Sequence, residues 1–300
     1  MAEVLRVALV IPVYNHAAFV GDAIRSVLAQ TYPAIDAVVV DDGSTDETPR
    51  VLAGFAGRIR VFHQPNRGQS ASLNRLWGES DAPLLAYLSS DDVLAPDAIA
   101  RMVAVLAEQP EAMCAYPDCD LIDRSGKVLA RRVCKPFDLA ALAIAQQCHI
   151  GPGAVFRADG YRAVGGWRED MRLAPDADFW LRLASRGPIV FVPEVLAQYR
   201  VHRVATSRRP VSQAGIEEVL GRVRDYFAGP FVPGQLRARQ AEAFAMAHRG
   251  IARTMLKAGR IGAWLRHTRE ARRLWQAPAM ETAWGNPIAR ARVRFAAAFR

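Results

Sequence analysis

Two short stretches of the chain decide its fold: residues 37–44, AVVVDDGS, and residues 84–92, LLAYLSSDD. Each is an apolar run, rich in strand-forming residues, that is followed closely by a pair of aspartates. Runs of this length and composition are typical of buried strands in a parallel sheet. Because ligands of open α/β sheets bind beyond the carboxyl ends of the strands, we expect the pairs Asp41-Asp42 and Asp91-Asp92 to lie near one ligand site.

Adjacent carboxylates at the end of an apolar strand need a cation, a ligand or hydrogen-bond donors to compensate their burial. One pair could hold a polar ligand while the other holds a divalent cation. The two stretches therefore predict chemistry on a phosphorylated, metal-bound substrate.

Strand and helix patterns alternate through the first 110 residues, which favours βαβ units and right-handed crossovers. The predicted fold is α/β, with a Rossmann-like, mostly parallel central sheet flanked by helices. Apolar runs predict strands at 6–12, 37–40, 59–63, 84–88, 114–122, 128–133, 154–157, 188–192 and 196–202. A further helix is predicted over 176–185.

Charge is distributed unevenly along the 300 residues, whose formal net charge is +9. Residues 231–300 contain 14 Lys and Arg against 3 Asp and Glu, whereas residues 1–230 contain 25 basic and 27 acidic residues. The basic character therefore belongs to the C-terminal part and says nothing about the acidic pairs. No apolar run approaches the length of a membrane span.

The C-terminal part reads as Ala- and Arg-rich helices beyond residue 207. Apolar positions at Phe244, Ala247, Ile251 and Met255, with Arg and Lys elsewhere, are typical of an amphipathic cationic helix. This part could pack on the preceding domain, attach to an anionic membrane face or bind nucleic acid. Since no nucleic-acid recognition motif is present, nucleic acid is not predicted as a partner.

An ordered series of motifs resembles the bacterial-type glycosyltransferases of family 2, nucleotide-diphospho-sugar transferases with the GT-A fold. The series begins with IPVYN at 11–15, DDGSTD at 41–46, NRG at 66–68 and LSSDD at 88–92. It continues with GGW at 165–167, APDADFWLR at 174–182 and YRVH at 199–202. The order and spacing match over residues 5–207, and the ordered set is far more specific than any single motif.

The resemblance implies a GT-A glycosyltransferase domain over residues 1–210, with a nucleotide-binding half at 1–110 and an acceptor-binding half at 111–210. Residues 211–300 are then a basic helical C-terminal extension. The implied reaction is inverting, metal-dependent transfer of a sugar from a nucleotide-diphospho-sugar donor to an acceptor hydroxyl, in cell-surface polysaccharide or glycolipid biosynthesis. The implied acceptor is a glycan or lipid-linked molecule, and the implied location is cytoplasmic, with peripheral contact of the basic tail at the inner face of the membrane.

The resemblance also implies roles for individual residues on the donor side. Asp42 contacts the nucleotide base, whose imide or amide group a carboxylate can recognise, Tyr14 can stack on it, and Asp91 contacts the ribose. The complete predicted donor-binding set is Pro12, Tyr14, Asn15, Asp42, Asn66, Gly68, Asn74 and Asp91. Asp41 or Asp42 could instead simply cap the following helix.

For the metal, the resemblance implies Mg²⁺ or Mn²⁺ bound by Asp92 and His202, which would neutralise the diphosphate leaving group. For the general base it implies Asp176 at the start of a helix, with Asp178 as the alternative. Asp176 could also be a plain helix cap, and His202 a structural histidine.

Two positions depart from the family pattern. Ser89 stands where many members carry Asp, and Pro175 stands where the residue before the base is usually Glu. For this reason the alternative function is a catalytically weak or inactive scaffold that binds nucleotide sugars.

Overall fold

The computed structural model describes residues 4–202 and 212–275 of the chain. Their contacts divide them into two compact units. The first unit contains the residues up to 137 together with 150–170 and 186–202, and the second contains 138–149, 171–185 and the residues from 212 onward. The predicted division at residue 210 stays a prediction, and the contacts group two segments from before that position with the C-terminal helices.

The first unit begins with four parallel strands that form one side of its sheet, as the sequence predicts. They are β1 (Val7–Val13), β2 (Ile35–Asp41), β3 (Arg60–His63) and β4 (Leu84–Tyr87), in the order β3-β2-β1-β4. The helices between them are α1 (Val20–Leu28), α2 (Thr48–Ala53) and α3 (Gln69–Gly78). Val13 at the end of β1 lies opposite Asp41 at the end of β2, so the loops that follow these strands lie side by side.

The other side of the sheet is mixed in direction. Its strands are β5 (Val93–Leu94), β6 (Cys114–Ile122), β7 (Val128–Ala130), β8 (Val155–Arg157) and β9 (Ile189–Arg200), and the sheet continues from β4 in the order β8-β6-β9-β5, with β7 beside β6. β8 is antiparallel to both β4 and β6, whereas β6 and β9 are parallel. The helices α4 (Ala98–Glu108) and α6 (Ala158–Ala163) belong to this unit.

The fold class is as predicted, but the parallel arrangement is concentrated in the first four strands. Apolar periodicity does not encode strand direction, and the short link between β6 and β7 can only join antiparallel strands. The two strands predicted at 188–192 and 196–202 form one strand, β9. Its register against β6 shifts where it passes Pro193, which cannot donate a ladder hydrogen bond.

The second unit is helical. Its helices are α5 (Leu139–Ala143), α7 (Pro175–Leu183), α8 (Gln213–Ala228), α9 (Gly234–Arg237), α10 (Gln240–Lys257) and α11 (Ile261–Leu274). Ile216 of α8 packs with Ile251 and Met255 of α10, so the apolar stripe recognised in the sequence faces a core. Among the described residues, no helix is both long enough and apolar enough to cross a membrane.

Candidate active site

Asp42, the predicted base-contacting residue, is buried at the end of β2 and holds the loop that follows β3. Its Oδ1 accepts hydrogen bonds from Gln64 Nε2 and the backbone N of Arg67, both at 2.8 Å, and its Oδ2 accepts from the backbone N of Gly68 at 2.7 Å. Three donors compensate the buried carboxylate. The NRG motif is therefore folded around Asp42.

Asp41 also has partners within its own unit. Its Oδ1 accepts from the backbone N of Ser44 at 2.9 Å, and its Oδ2 lies 3.1 Å from His63 Nδ1. The turn between Asp41 and Ser44 requires a glycine at position 43. Gly43 has a φ of +76°, and an added Cβ would lie 2.9 Å from the backbone N of Asn66. Asp41 thus has a local structural role.

Asn15 joins the loops after β1 and β2. Its backbone takes a left-handed conformation with φ of 54°, and its Oδ1 accepts from the backbone N of Thr45 at 2.7 Å and of Asp46 at 3.2 Å. Next to it, the side chain of Tyr14 is 42% exposed. Tyr14 is therefore accessible for the predicted stacking, which stays a prediction.

The remaining predicted donor-binding residues differ in accessibility. Asn66 is exposed, whereas Pro12 lies within β1. Asn74 donates to Trp167 O at 2.7 Å and Glu169 Oε1 at 3.1 Å, and accepts from Trp167 N and Tyr161 Oη at 2.9 Å each. These bonds use the hydrogen-bonding capacity of the Asn74 amide. The predicted contact of Asn74 with the nucleotide sugar stays a prediction, and it would require one of these bonds to break.

The second acidic pair is divided between two roles. Asp92, the predicted metal ligand, is only 3% exposed, and its Oδ1 accepts from the backbone N of Arg200 at 2.8 Å. The Asp91 side chain is 15% exposed, and its Oδ2 lies 2.8 Å from Nε2 of His202. His202, the second predicted metal ligand, is therefore paired with Asp91.

His16 is a third member of this site that the sequence analysis missed. Its Nδ1 lies 2.8 Å from Ser90 Oγ, and its ring centroid lies 5.5 Å from that of His202. Donor atoms of His16, Asp91 and His202 all lie within 4.8 Å of one another. The sequence signal that could have indicated His16 is its position directly after the IPVYN motif, at the end of β1.

This trio fits a divalent ion. Each of the three residues offers an atom of a type that divalent cations bind, and these atoms lie within 4.8 Å of one another. The 2.8 Å contact between Asp91 Oδ2 and His202 Nε2 is a hydrogen bond that a bound ion would replace. His202 Nδ1 is buried and has no hydrogen-bond partner in the described part of the chain.

The predicted base lies in the second unit, at the start of α7. Pro175 occupies the first turn, where its missing N–H costs nothing, and Asp176 follows, partly exposed. Asp178 is buried, and its Oδ2 accepts from Nε and Nη2 of Arg182 at 2.8 and 2.6 Å. Of the two candidate bases, Asp178 is committed to an ion pair.

The segment before Asp176 is held by a residue from α8. Glu218 Oε1 accepts from the backbone N of Leu173 at 2.6 Å and of Ala174 at 3.4 Å, and its Oε2 accepts from the backbone N of Arg172 at 2.9 Å. No motif pointed to Glu218, because its partners are 44 to 46 residues away in the sequence.

Sequence comparison identifies the family. The model described as Glycosyl transferase family 2 matches residues 8–165. An uncharacterized glycosyltransferase of Rickettsia conorii is 31% identical over 214 residues, which cover 68% of this chain and 35% of the relative. Chondroitin synthase of Escherichia coli is 28% identical over 205 residues, 67% of this chain and 30% of that protein. The chain thus spans about a third of the length of these two relatives.

Structure comparison supports the same fold. Staphylococcus aureus TarS, residues 1–349, in complex with UDP-GlcNAc, matches with a TM-score of 0.69 at 15% identity, over 90% of this chain and 81% of that one. A mannosyltransferase of Pyrobaculum calidifontis in complex with GDP-Man and Mn²⁺ matches with a TM-score of 0.60 at 19% identity, over 99% and 81%. With the family match over more than half of its length, the chain belongs to glycosyltransferase family 2 and has the GT-A fold.

Proposed function

We propose that the protein is an inverting, metal-dependent glycosyltransferase that moves a sugar from a nucleotide-diphospho-sugar to an acceptor hydroxyl. The observation that carries this proposal is the trio His16, Asp91 and His202 in a family 2 fold. The two GT-A neighbours are in complex with UDP-GlcNAc and with GDP-Man and Mn²⁺, respectively, which supports a donor of this class.

We assign the ion to Asp91, His202 and His16, and not to Asp92 as the sequence predicted. The supporting contact is the hydrogen bond that Asp92 accepts from the backbone of β9. Imidazole ligands favour a transition-metal ion over Mg²⁺, which prefers oxygen, so Mn²⁺ is the better candidate of the predicted two. When bound, the ion would neutralise charge on the departing diphosphate.

On the donor side, the loop organised by Asp42 presents the exposed Asn66 next to a turn that Asn15 fixes. Tyr14 offers an exposed aromatic face on which a base can stack. In this proposal, Asp42 contributes to nucleotide binding by holding the NRG loop in place, and its carboxylate can also accept a hydrogen bond from the base.

Asp176 is the proposed general base, which removes the proton of the acceptor hydroxyl during a single displacement at the anomeric carbon. The environment of Asp178 supports this choice, since its side chain is buried and its Oδ2 accepts two hydrogen bonds from Arg182.

An anionic membrane is the proposed location of the acceptor. Ile261 and Leu265 lie on α11 with 49% and 39% of their surface exposed, and residues 243–269 contain six Lys and Arg without any Asp or Glu. Aliphatic and cationic side chains together favour the surface of an anionic bilayer. Vesicle co-sedimentation should show binding to phosphatidylglycerol but not to phosphatidylcholine. Ile261→Ser with Leu265→Ser should weaken it, whereas Val4→Ser, at an exposed apolar site elsewhere, should not.

The decisive experiment is a thermal-shift panel of UDP-, GDP- and dTDP-sugars with Mn²⁺ or Mg²⁺, because a true ligand raises the melting temperature. Donors that bind are then assayed for nucleoside diphosphate release with lipid and glycan acceptors. Binding without release for every donor and acceptor would favour the scaffold alternative. The absence of any nucleotide-dependent shift would contradict the proposal as a whole.

A further inference from the structure

Helix α8 contacts the segment that leads into the proposed base. Glu218 binds three consecutive backbone N–H groups, those of residues 172–174. Ala174, the residue before α7, offers no capping side chain of its own. The carboxylate of Glu218 therefore accepts hydrogen bonds from backbone N–H groups at the start of α7, the role that a capping side chain has at other helices. It thereby fixes the loop that precedes Asp176.

Arg222 lies one helical turn after Glu218, on the same face of α8. Its side chain is buried, with the residue 8% exposed, and its Nη2 donates to Gln146 Oε1 at 2.6 Å. Its Nε is buried and has no hydrogen-bond partner among the described residues. A buried guanidinium whose one identified hydrogen-bond acceptor is a neutral amide needs nearby negative charge.

The carboxylates of α7 supply that charge. Burial lowers the pKa of the Arg222 guanidinium, and the carboxylate of Asp176 opposes this shift most strongly, followed by that of Asp178. Asp176 thus has the strongest influence of the carboxylates around Arg222, while Asp178 also pairs with Arg182. Electrostatic stabilisation is mutual, so a charge that Asp176 stabilises also stabilises Asp176.

We propose that Arg222 is a positioning residue that keeps Asp176 ionised and oriented, while Glu218 fixes the loop before it. This inference rests on the proposed role of Asp176 and adds to it a counter-charge from a helix beyond residue 210. The other charged or titratable groups around this pair are Asp178 and Arg182 on α7, Glu218 on α8 and Cys148 after α5.

The test is a ¹³C NMR titration of the aspartate carboxyl carbons in the full chain, with the Asp176 signal assigned by its loss in Asp176→Asn. Arg222→Gln should raise the pH midpoint of Asp176 by about one unit or more, because an adjacent positive charge is removed. Arg222→Lys, which keeps the charge, should retain most of the wild-type midpoint. Arg224→Gln, an exposed change on the same helix, should leave it unchanged.

A midpoint in Arg222→Gln within about 0.3 unit of wild type would overturn the inference. If Arg222→Gln does not fold, Arg222→Met offers a similar length without charge. Wild-type protein also provides a test without any variant, since a carboxyl beside Arg222 should titrate below the usual range for aspartate, and a normal or raised midpoint would contradict the inference.

The titration needs no turnover, so it separates this inference from the proposed function. Full nucleoside diphosphate release by Asp176→Asn would show that the base is misassigned, whatever the titration gives. An inactive Asp176→Asn with an unmoved midpoint in Arg222→Gln would show that only the role of Arg222 is wrong.

Discussion

The two Asp-Asp pairs look alike in the sequence and differ in the structure. At the end of β2, both Asp41 and Asp42 are occupied by donors from neighbouring loops. Beyond the end of β4, Asp92 accepts a backbone hydrogen bond, while Asp91 faces two histidines. A carboxylate at a strand end can therefore serve the fold or a ligand, and its hydrogen-bond partners show which.

The same division recurs at the start of α7. Asp178 is committed to Arg182 by two hydrogen bonds to one oxygen, whereas Asp176 is partly exposed in the first turn. In each of these two places one acidic residue stabilises the protein and its neighbour is proposed to act on substrate or ion. Substitutions that remove one carboxylate at a time test whether the two members of each pair differ in role.

The largest effect is expected at α7. Asp176→Asn should lower transfer by roughly 10²- to 10⁴-fold, the usual contribution of a general base, with a smaller loss of stability than Asp178→Asn, because Asp178 and Glu218 still compensate Arg222. Asp178→Asn should destabilise the fold more, by about 3–5 kcal/mol, because it removes a carboxylate that pairs with the buried guanidinium of Arg182. Steady-state kinetics and thermal unfolding of both variants check this, and crippled turnover in a stable Asp178→Asn protein would move the base to Asp178.

The next effect is expected at the second pair. Asp91→Asn should abolish Mn²⁺-dependent stabilisation by nucleoside diphosphates and lower transfer at least about 100-fold, because a carboxylate ligand of the ion is lost. Asp92→Asn, its matched control, should chiefly lower stability. Isothermal titration with Mn²⁺ and UDP or GDP measures the difference. Loss of Mn²⁺ binding only in Asp92→Asn would restore the assignment predicted from the sequence.

A smaller effect is expected at Asp42. An asparagine has one acceptor oxygen for three donors, so Asp42→Asn should lose about 1.5–3 kcal/mol of folding stability, the range for hydrogen bonds to a charged group. Nucleotide affinity should fall with it, because the NRG loop loses its anchor. Urea unfolding measures the first quantity and the thermal-shift panel the second, and an unchanged unfolding midpoint would contradict the structural role.

The smallest effect is expected at Asp41. Asp41→Asn keeps an acceptor for the backbone N of Ser44 and loses only the pairing with His63, whose side chain is 60% exposed. The Asp41 side chain itself is only 4% exposed, but because its partner is open to solvent the pair should contribute only about 1 kcal/mol. Stability and nucleotide binding should therefore stay near the wild-type values in the same two assays. If Asp41→Asn lost as much folding stability and nucleotide affinity as Asp42→Asn, the proposed difference in role between Asp41 and Asp42 would be wrong.

Local patterns predicted the elements of this protein well. The parallel strands β1 to β4, the long strand β6 and the helical C-terminal part all follow from apolar periodicity and turn residues, which act over a few positions. Strand direction in the second half of the sheet did not follow, because direction depends on how each connection crosses the sheet. His16, Glu218 and Arg222 were missed because none of them stands in a motif of its own.

The sequence by itself determined the family, the strand ends that carry the acidic pairs and the helix start that carries Asp176. Only the tertiary structure shows that both carboxylates of the first pair are occupied and that the two members of the second pair differ. The partners of the second pair are far away in the chain: Arg200 lies 108 residues from Asp92, and His202 lies 111 residues from Asp91. The physical reason is that a strand end is fixed by its own few residues. A buried carboxylate, in contrast, is compensated by the hydrogen-bond donors that the fold places next to it, and these can come from any part of the chain.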